Sequence, residues 1–73
     1  MRVTFLHQKL QQKRKEKHLT QETLAERCDC SVRYLRDLEL GVKCNLSAAL
    51  FFQIVYILDV PADELLRIEQ DDD

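Results

Sequence analysis

The sequence predicts an all-α domain of five helices, and three observations lead to this fold class. The chain has 73 residues with one Gly and one Pro, too few turn-forming residues for a β-sandwich or β-barrel. Hydrophobic residues make up 45% of the chain and charged residues 33%, which is a globular composition. Apolar residues recur three or four positions apart, as in helices with one buried face. A chain of this length builds one core, so residues 1–70 are expected to form a single domain, with 71–73 as a frayed acidic tail.

The first helix is expected to begin after Thr4, whose hydroxyl can cap it, and to end near Lys17. Leu6 and Leu10 lie four residues apart on its apolar face. The basic run at residues 13–17 comes at the C-terminal end of this helix, where the helix dipole favours cations.

Two shorter helices follow, joined by a tight turn. Thr20 is expected to cap the first of them and Ser31 the second. Asp29 ends the first helix, because Asp tolerates the left-handed conformation, and Gly41 ends the second in the position of a C-terminal cap. Two helices of about eight to ten residues, separated by three or four residues, are typical of a helix-turn-helix.

The fourth helix is expected over residues 46–58, where only Ser47 and Gln53 are polar. As a helix this segment rises only about 20 Å, too short to cross a bilayer, so we expect protein rather than membrane around it. Pro61 is expected to open a fifth helix, Pro61–Ile68, because a missing N–H costs nothing at the first helical position.

The cysteines favour a reducing compartment. Cys28, Cys30 and Cys44 are odd in number and no export signal precedes them, so we expect a cytoplasmic protein without a disulfide framework. Cys28 and Cys30 are one residue apart, whereas structural zinc sites usually separate paired cysteines by two to four residues. We therefore expect neither a metal nor a cofactor.

The segment from Leu19 to Gly41 combines apolar, amide, acidic and glycine residues at a recognisable spacing. These residues are Gln21, Leu24, Ala25, Glu39 and Gly41. The pattern resembles the phage repressor and Cro-like helix-turn-helix family, also called the XRE family, and the resemblance extends from Leu6 to Leu66. It implies a five-helix, lambda-repressor-like fold that binds DNA. The chain departs from the family in having Asp29 where Gly is usual and no Pro soon after Gly41.

The resemblance implies that the helix beginning at Ser31 lies in the major groove of double-stranded DNA. The family positions that contact bases are occupied by Val32, Arg33, Tyr34 and Asp37. Arg33 has the forked geometry that suits guanine O6 and N7. Asp37 lies four residues from Arg33, so an ion pair within the helix is the alternative to a base contact.

Polar and basic residues around that helix are candidates for contacts with DNA phosphates. They are Gln21, Ser31, Arg36, Lys43, Lys13 and Arg14. Gln21 falls in the first turn of its helix, where unpaired N–H groups favour an anion. The family pairs the Arg at position 14 with the Glu at position 39, so a structural ion pair between Arg14 and Glu39 is the preferred alternative for Arg14.

A homodimer is expected, because one small module contacts too little DNA for high specificity and two half-sites supply the rest. If Ala48, Phe51, Val55 and Leu58 face the core, the fourth helix carries a second apolar stripe. The candidate dimer interface is Leu50, Ile54, Ile57, Tyr56, Leu66 and Ile68. The alternative is that so small a domain buries this helix completely.

The charge is unevenly distributed along the chain. The total is −2, but residues 1–58 hold 10 basic and 6 acidic side chains, and residues 59–73 hold 1 basic and 7 acidic ones. The basic part suits a DNA partner. The alternative function is an antitoxin-like or adaptor module that binds another protein through residues 46–58 and the acidic C-terminus. An enzyme is not supported, because His7 and His18 have no nucleophile or paired carboxylates at a recognisable spacing.

Overall fold

The computed structural model describes residues 1–42 and 46–70, which form four α-helices and a two-stranded sheet. In chain order the elements are β1 (Arg2–Phe5), α1 (His7–Glu16), α2 (Gln21–Arg27), α3 (Val32–Leu40), α4 (Ala48–Leu58), a 3₁₀ turn (Ala62–Glu64) and β2 (Leu66–Glu69). No helix in the described ranges has the length and apolar character needed to span a membrane. The expectations for Lys43, Cys44 and the tail 71–73 fall outside the described residues.

Hydroxyl side chains cap the N-termini of three helices. Thr20 and Ser31 each accept a hydrogen bond from the backbone N–H three residues later, so both predicted caps are confirmed. Ser47 caps α4 in the same way, and α4 therefore begins two residues after the predicted start at Leu46. A cap of this kind contributes about 1 kcal/mol to stability.

Left-handed residues end the helices. Asp29 and Gly41 have φ angles of 56° and 77°, so both predicted stops are confirmed. His18 and Asp59 adopt the same conformation after α1 and α4, which the sequence did not predict. Gly41 also lies close to another side chain: a Cβ there would be 2.8 Å from Nε2 of His7, so the His7 ring would have to shift.

The predicted all-α class was wrong at both ends of the domain, where the chain forms strands. Thr4 lies inside β1 and caps no helix, while α1 begins at His7 and ends at Glu16, close to the predicted end. The predicted fifth helix, Pro61–Ile68, is instead a 3₁₀ turn followed by β2. The described residues thus contain four α-helices, not five.

The sheet is amphipathic, which explains why these segments are strands. Its register pairs Val3 with Ile68 and Phe5 with Leu66 on one face, and Arg2 with Glu69 and Thr4 with Arg67 on the other. The apolar face packs on α4, where the rings of Phe5 and Phe51 meet edge to face with centroids 6.3 Å apart. Alternating side chains fit the two-residue period of a strand and would spoil the apolar face of a short helix.

The core draws apolar side chains from every α-helix and from the residue before β2. Its fully buried members are Leu10, Leu24, Leu35, Leu38, Ile54, Leu58 and Leu65. On α4 the buried residues are Phe51, Ile54 and Leu58, whose spacing of three and four positions defines one helix face. The assignment of Ile54 to a surface stripe was therefore wrong, and Ala48, predicted to face the core, is exposed.

Candidate nucleic-acid interface

The packing of α2 against α3 fixes the position of the candidate DNA-contacting helix. Leu24 and Ala25 of α2 are buried against Leu35 and Leu38 of α3. The small side chain of Ala25 allows close approach, and its carbonyl accepts a 3.0 Å hydrogen bond from the N–H of Cys30 in the turn. The opposite side of α3 is left facing solvent.

The solvent-facing side of α3 carries the residues predicted to contact bases, together with Arg36, which was predicted to contact a phosphate. Arg33 and Arg36 are exposed, and Val32, Tyr34 and Asp37 are half-buried. Val32 and Tyr34 pack partly against the core, which limits how far their side chains can move. The structure therefore brings these residues together on one short helix, where the two arginines are the exposed ones.

Arg14 and Glu39 form a buried ion pair behind this surface. Nε of Arg14 donates to Oε2 of Glu39 at 2.6 Å, and Nη2 donates to Oε1 at 3.1 Å. Nη1 of Arg14 donates to the carbonyl of Leu19 at 2.8 Å. The two side chains are 9% and 1% exposed, so this geometry matches the structural role preferred for Arg14 and leaves little of it for a phosphate.

Glu39 joins two further residues to the same cluster. Nε2 of Gln21 donates to Oε1 of Glu39 at 3.0 Å. Nδ1 of His7 lies 3.0 Å from the backbone oxygen of Glu39, to which it donates. We call Arg14, Glu39, Gln21 and His7 the Glu39 cluster. Because its members come from α1, α2 and α3, the cluster fixes all three helices relative to one another.

The basic run at the end of α1 divides between two surfaces. Nζ of Lys13 lies 3.3 Å from Oε2 of Glu64 and 3.6 Å from Oε1 of Glu16. The hydrogen bond with Glu64 raises the pKa of Lys13. Lys13 is thus paired with one carboxylate of the 3₁₀ turn and one of α1, which makes it a weaker candidate for a phosphate contact.

Lys15 lies on a different side of α1 and was missed as a candidate. With Gln11, His18, Gln21 and Glu22 it lines a surface groove between the end of α1 and the start of α2. Two residues along a helix correspond to a rotation of about 200°, so Lys13 and Lys15 face different neighbours. Plotting residues 13–17 on a helix would have shown that Lys15 faces away from Lys13, and this could have identified Lys15 from the sequence.

The described cysteines have the properties of packing residues. Cys28 is 3% exposed and burial raises its thiol pKa to about 11. Cys30 is half-buried, and burial raises its pKa as well. Within residues 1–42 and 46–70, no three His, Cys, Asp or Glu side chains converge as a metal site would require.

The residues expected at a dimer interface differ widely in exposure. Tyr56 is 85% exposed and Ile68 is 58% exposed. Leu50, Ile57 and Leu66 are half-buried against the core, and Ile54 is completely buried. Two large exposed side chains were not predicted for this surface, namely Phe52 at 62% and Val3 at 52%.

The domain has a short capped helix, a tight turn with one left-handed residue, and a second helix with an exposed basic surface. Together these features define a helix-turn-helix DNA-binding domain. Over residues 10–65 the chain matches the helix-turn-helix family, and it belongs to that family in its XRE type. No protein of curated function matches the chain significantly.

Several solved structures are similar to the chain. The biofilm master regulator SinR of Bacillus subtilis, solved in complex with DNA, is 30% identical, with a TM-score of 0.76 over 82% of this chain and 95% of SinR as solved there. The restriction-modification controller protein C.AhdI of Aeromonas hydrophila is 32% identical, with a TM-score of 0.75 over 82% of this chain and 89% of that one. The clp gene regulator ClgR of Corynebacterium glutamicum is 30% identical, with a TM-score of 0.76 over 82% and 63%.

Proposed function

We propose that the chain is a sequence-specific regulator of transcription that places α3 in the major groove of double-stranded DNA. The observation that carries this proposal is the pair of exposed guanidinium groups, Arg33 and Arg36, on a helix whose position is fixed by the Glu39 cluster. The likeness to SinR, which was solved with DNA, supports the same conclusion.

Sequence recognition is assigned to the N-terminal half of α3. The proposed base contacts are Val32, Arg33, Tyr34 and Asp37. Arg33 donates in bidentate fashion to guanine, a contact that discriminates by about 1–3 kcal/mol against other bases. Val32 and Tyr34 offer apolar surface to a thymine methyl group, and Asp37 accepts from a cytosine amine or orients Arg33.

Contacts with the phosphate backbone are assigned to residues beside α3. Ser31 precedes the base-contacting residues and Arg36 lies among them on α3, while Gln21 and Lys15 lie at the start of α2 and the end of α1. The side-chain amide of Gln21 donates one hydrogen bond to Glu39, and its second N–H can donate to a phosphate. These contacts fix the register of the protein on the duplex and carry no sequence information.

A homodimer completes the proposal, because two half-sites give the specificity that one module lacks. The predicted interface residues that keep exposed surface are Leu50, Tyr56, Ile57, Leu66 and Ile68. Two copies of α3 then enter successive major grooves on one side of the duplex, about 34–36 Å apart.

The alternative function, binding to another protein, also has an observation in its favour. An exposed groove between α2 and α4 is lined by Arg27, Ala49, Phe52, Gln53, Tyr56 and Ile57. SinR has also been solved in a complex with SinI. We rank this function second, because it gives no role to the exposed arginines of α3.

Titration of labelled duplex at two salt concentrations separates the two functions. A regulator should bind genomic fragments at low salt, and its affinity should fall steeply as salt rises, because bound Lys and Arg displace counterions from phosphates. Arg33→Ala serves as the comparison, since it should reduce preference among sequences more than total binding. If the protein did not bind duplex DNA at low salt, the regulator function would be excluded and binding to another protein would be the remaining function.

A further inference from the structure

The outer edge of β2 has backbone groups in position to pair with another strand. The N–H of Leu6 donates to the carbonyl of Leu65 at 2.8 Å, one step beyond the register of the β1–β2 ladder. Antiparallel pairs alternate between hydrogen-bonded and non-hydrogen-bonded types. Ile68 lies three residues after Leu65, so it belongs to the non-hydrogen-bonded type, and its N–H and C=O point away from β1. None of the described loop or cap hydrogen bonds involves these two groups.

Charge selects one register in which two copies of β2 can pair about a two-fold axis. Alternation lets the outward groups match when the axis passes through any of the four residues of β2, Leu66–Glu69. An axis at Arg67 sets two arginines opposite each other, and an axis at Glu69 sets two glutamates opposite each other. An axis at Leu66 runs the pairing into the 3₁₀ turn. An axis at Ile68 sets Arg67 opposite Glu69 of the second copy, and does so twice.

We propose that β2 pairs with β2 of a second copy of this chain, in antiparallel orientation and with Ile68 opposite Ile68. The product is one four-stranded sheet in the order β1, β2, β2, β1. This inference rests on the homodimer of the proposed function and specifies its contact. Backbone bonds then link Ile68 to Ile68, and Leu66 to Gln70, in both directions.

On each face of this four-stranded sheet, the side chains that come together are chemically compatible. On the polar face each Glu69 lies between Arg2 of its own β1 and Arg67 of the second copy. On the apolar face the exposed Ile68 side chains, 58% accessible in the single chain, meet at the axis. β1 has no comparable complementarity, because its charged residue, Arg2, has no acidic counterpart on that strand.

The contact is short, so association without DNA should be weak. Neighbouring half-sites raise the effective concentration of the two copies, and the dimer should therefore form more readily on a two-site duplex than on a single half-site. Self-association of the free protein should be measured by sedimentation up to millimolar concentration.

Matched proline substitutions test which edge is used. Ile68→Pro removes an outward N–H that β1 does not need, and proline is tolerated at such an edge position. It should raise the dissociation constant of the dimer at least about tenfold. Val3→Pro removes the corresponding outward N–H of β1 and should leave the dimer unchanged. Circular dichroism checks that both variants fold.

Charge exchange between two variants tests the register. Arg67→Glu alone places two acidic pairs across the axis, and Glu69→Arg alone places two basic pairs there, so each variant should dimerise at least about tenfold more weakly. Mixing the two variants restores opposite charges at both pairs and should restore dimerisation as a heterodimer. Restoration by mixing cannot arise from a folding defect in either chain.

The remaining outcomes contradict the inference. A wild-type chain that stays monomeric at millimolar concentration, a dimer that survives Ile68→Pro, or variants that mixing does not restore each exclude this contact. If Tyr56→Asp abolished the dimer and the β2 variants did not, the contact would lie on α4. Duplex binding by the same variants is scored separately on one half-site, so failure of DNA binding and failure of the β2 contact give different results.

Discussion

The guanidinium of Arg14 and the carboxylate of Glu39 lie buried together, joined by hydrogen bonds of 2.6 and 3.1 Å. A buried charge is costly unless it is both paired and hydrogen-bonded, and here the carboxylate also accepts from Gln21. The pair links α1 to the end of α3, the helix assigned to the major groove. Its integrity should therefore affect both the stability of the domain and the placement of Arg33 on DNA.

Removing the charge at Glu39 should destabilise the domain strongly. Glu39→Gln leaves Arg14 buried without a counter-ion, and the expected loss is about 3–5 kcal/mol of unfolding free energy. Urea denaturation followed by circular dichroism measures it. Glu26→Gln, at an exposed glutamate of α2, is the control and should stay within about 0.5 kcal/mol. Equal stabilities of the two variants would show that the pair contributes nothing.

Gly41→Ala should lower stability by about 1–2 kcal/mol, because an L-residue is strained at a φ of 77°. The added methyl group would also press on the ring of His7, which donates to the backbone of Glu39. A double-mutant cycle with His7→Ala separates these causes. The cost of Gly41→Ala should be smaller in the His7→Ala background, and an identical cost in both backgrounds would mean that the ring is not displaced.

Stability should fall at alkaline pH through Cys28. Burial raises its thiol pKa from 9.0 to about 11, so the folded state holds the proton more tightly than the unfolded state does. Its contribution is complete below the unfolded pKa and is lost as pH rises toward the folded value. Between pH 9 and about 11, wild type should therefore lose more stability than Cys28→Ala. Parallel pH profiles for the two proteins would exclude this contribution.

Two lysines of one basic run should differ in their effect on DNA binding. Lys15→Ala should weaken binding to all duplexes alike and reduce the salt slope by about 1. Lys13→Ala should change DNA affinity little, because Lys13 is already paired with Glu64 and Glu16. The measurement is a salt titration of both variants on one duplex. A larger loss for Lys13→Ala would reverse the assignment.

The helix-turn-helix was predictable from the sequence because its signals are local. Thr20 and Ser31 act on the N–H groups three residues ahead, and Asp29 and Gly41 set only their own backbone angles. Each helix start or stop can therefore be predicted without knowing what packs on the helix. The partner of Arg14 came from family resemblance instead, since the 25 residues to Glu39 give no local clue.

The sheet and the orientation of α4 were not predictable because they depend on distant contacts. β1 and β2 are four residues each and pair across nearly the whole chain, so the alternation of Val3 with Phe5 and of Leu66 with Ile68 was too short to outweigh a helical pattern. α4 is apolar on almost every side, and its sequence could not show that Ile54 faces inward.

The central claim is that the N-terminal half of α3 recognises DNA sequence, and selection of bound duplexes from a random pool tests it most directly. Wild type should enrich a motif of two half-sites, and Arg33→Ala should lose the preference for one base pair in each half-site. Arg27→Ala, at an exposed arginine that lines the groove between α2 and α4, should enrich the wild-type motif. Enrichment of no motif by wild type, or of an unchanged motif by Arg33→Ala, would contradict the claim.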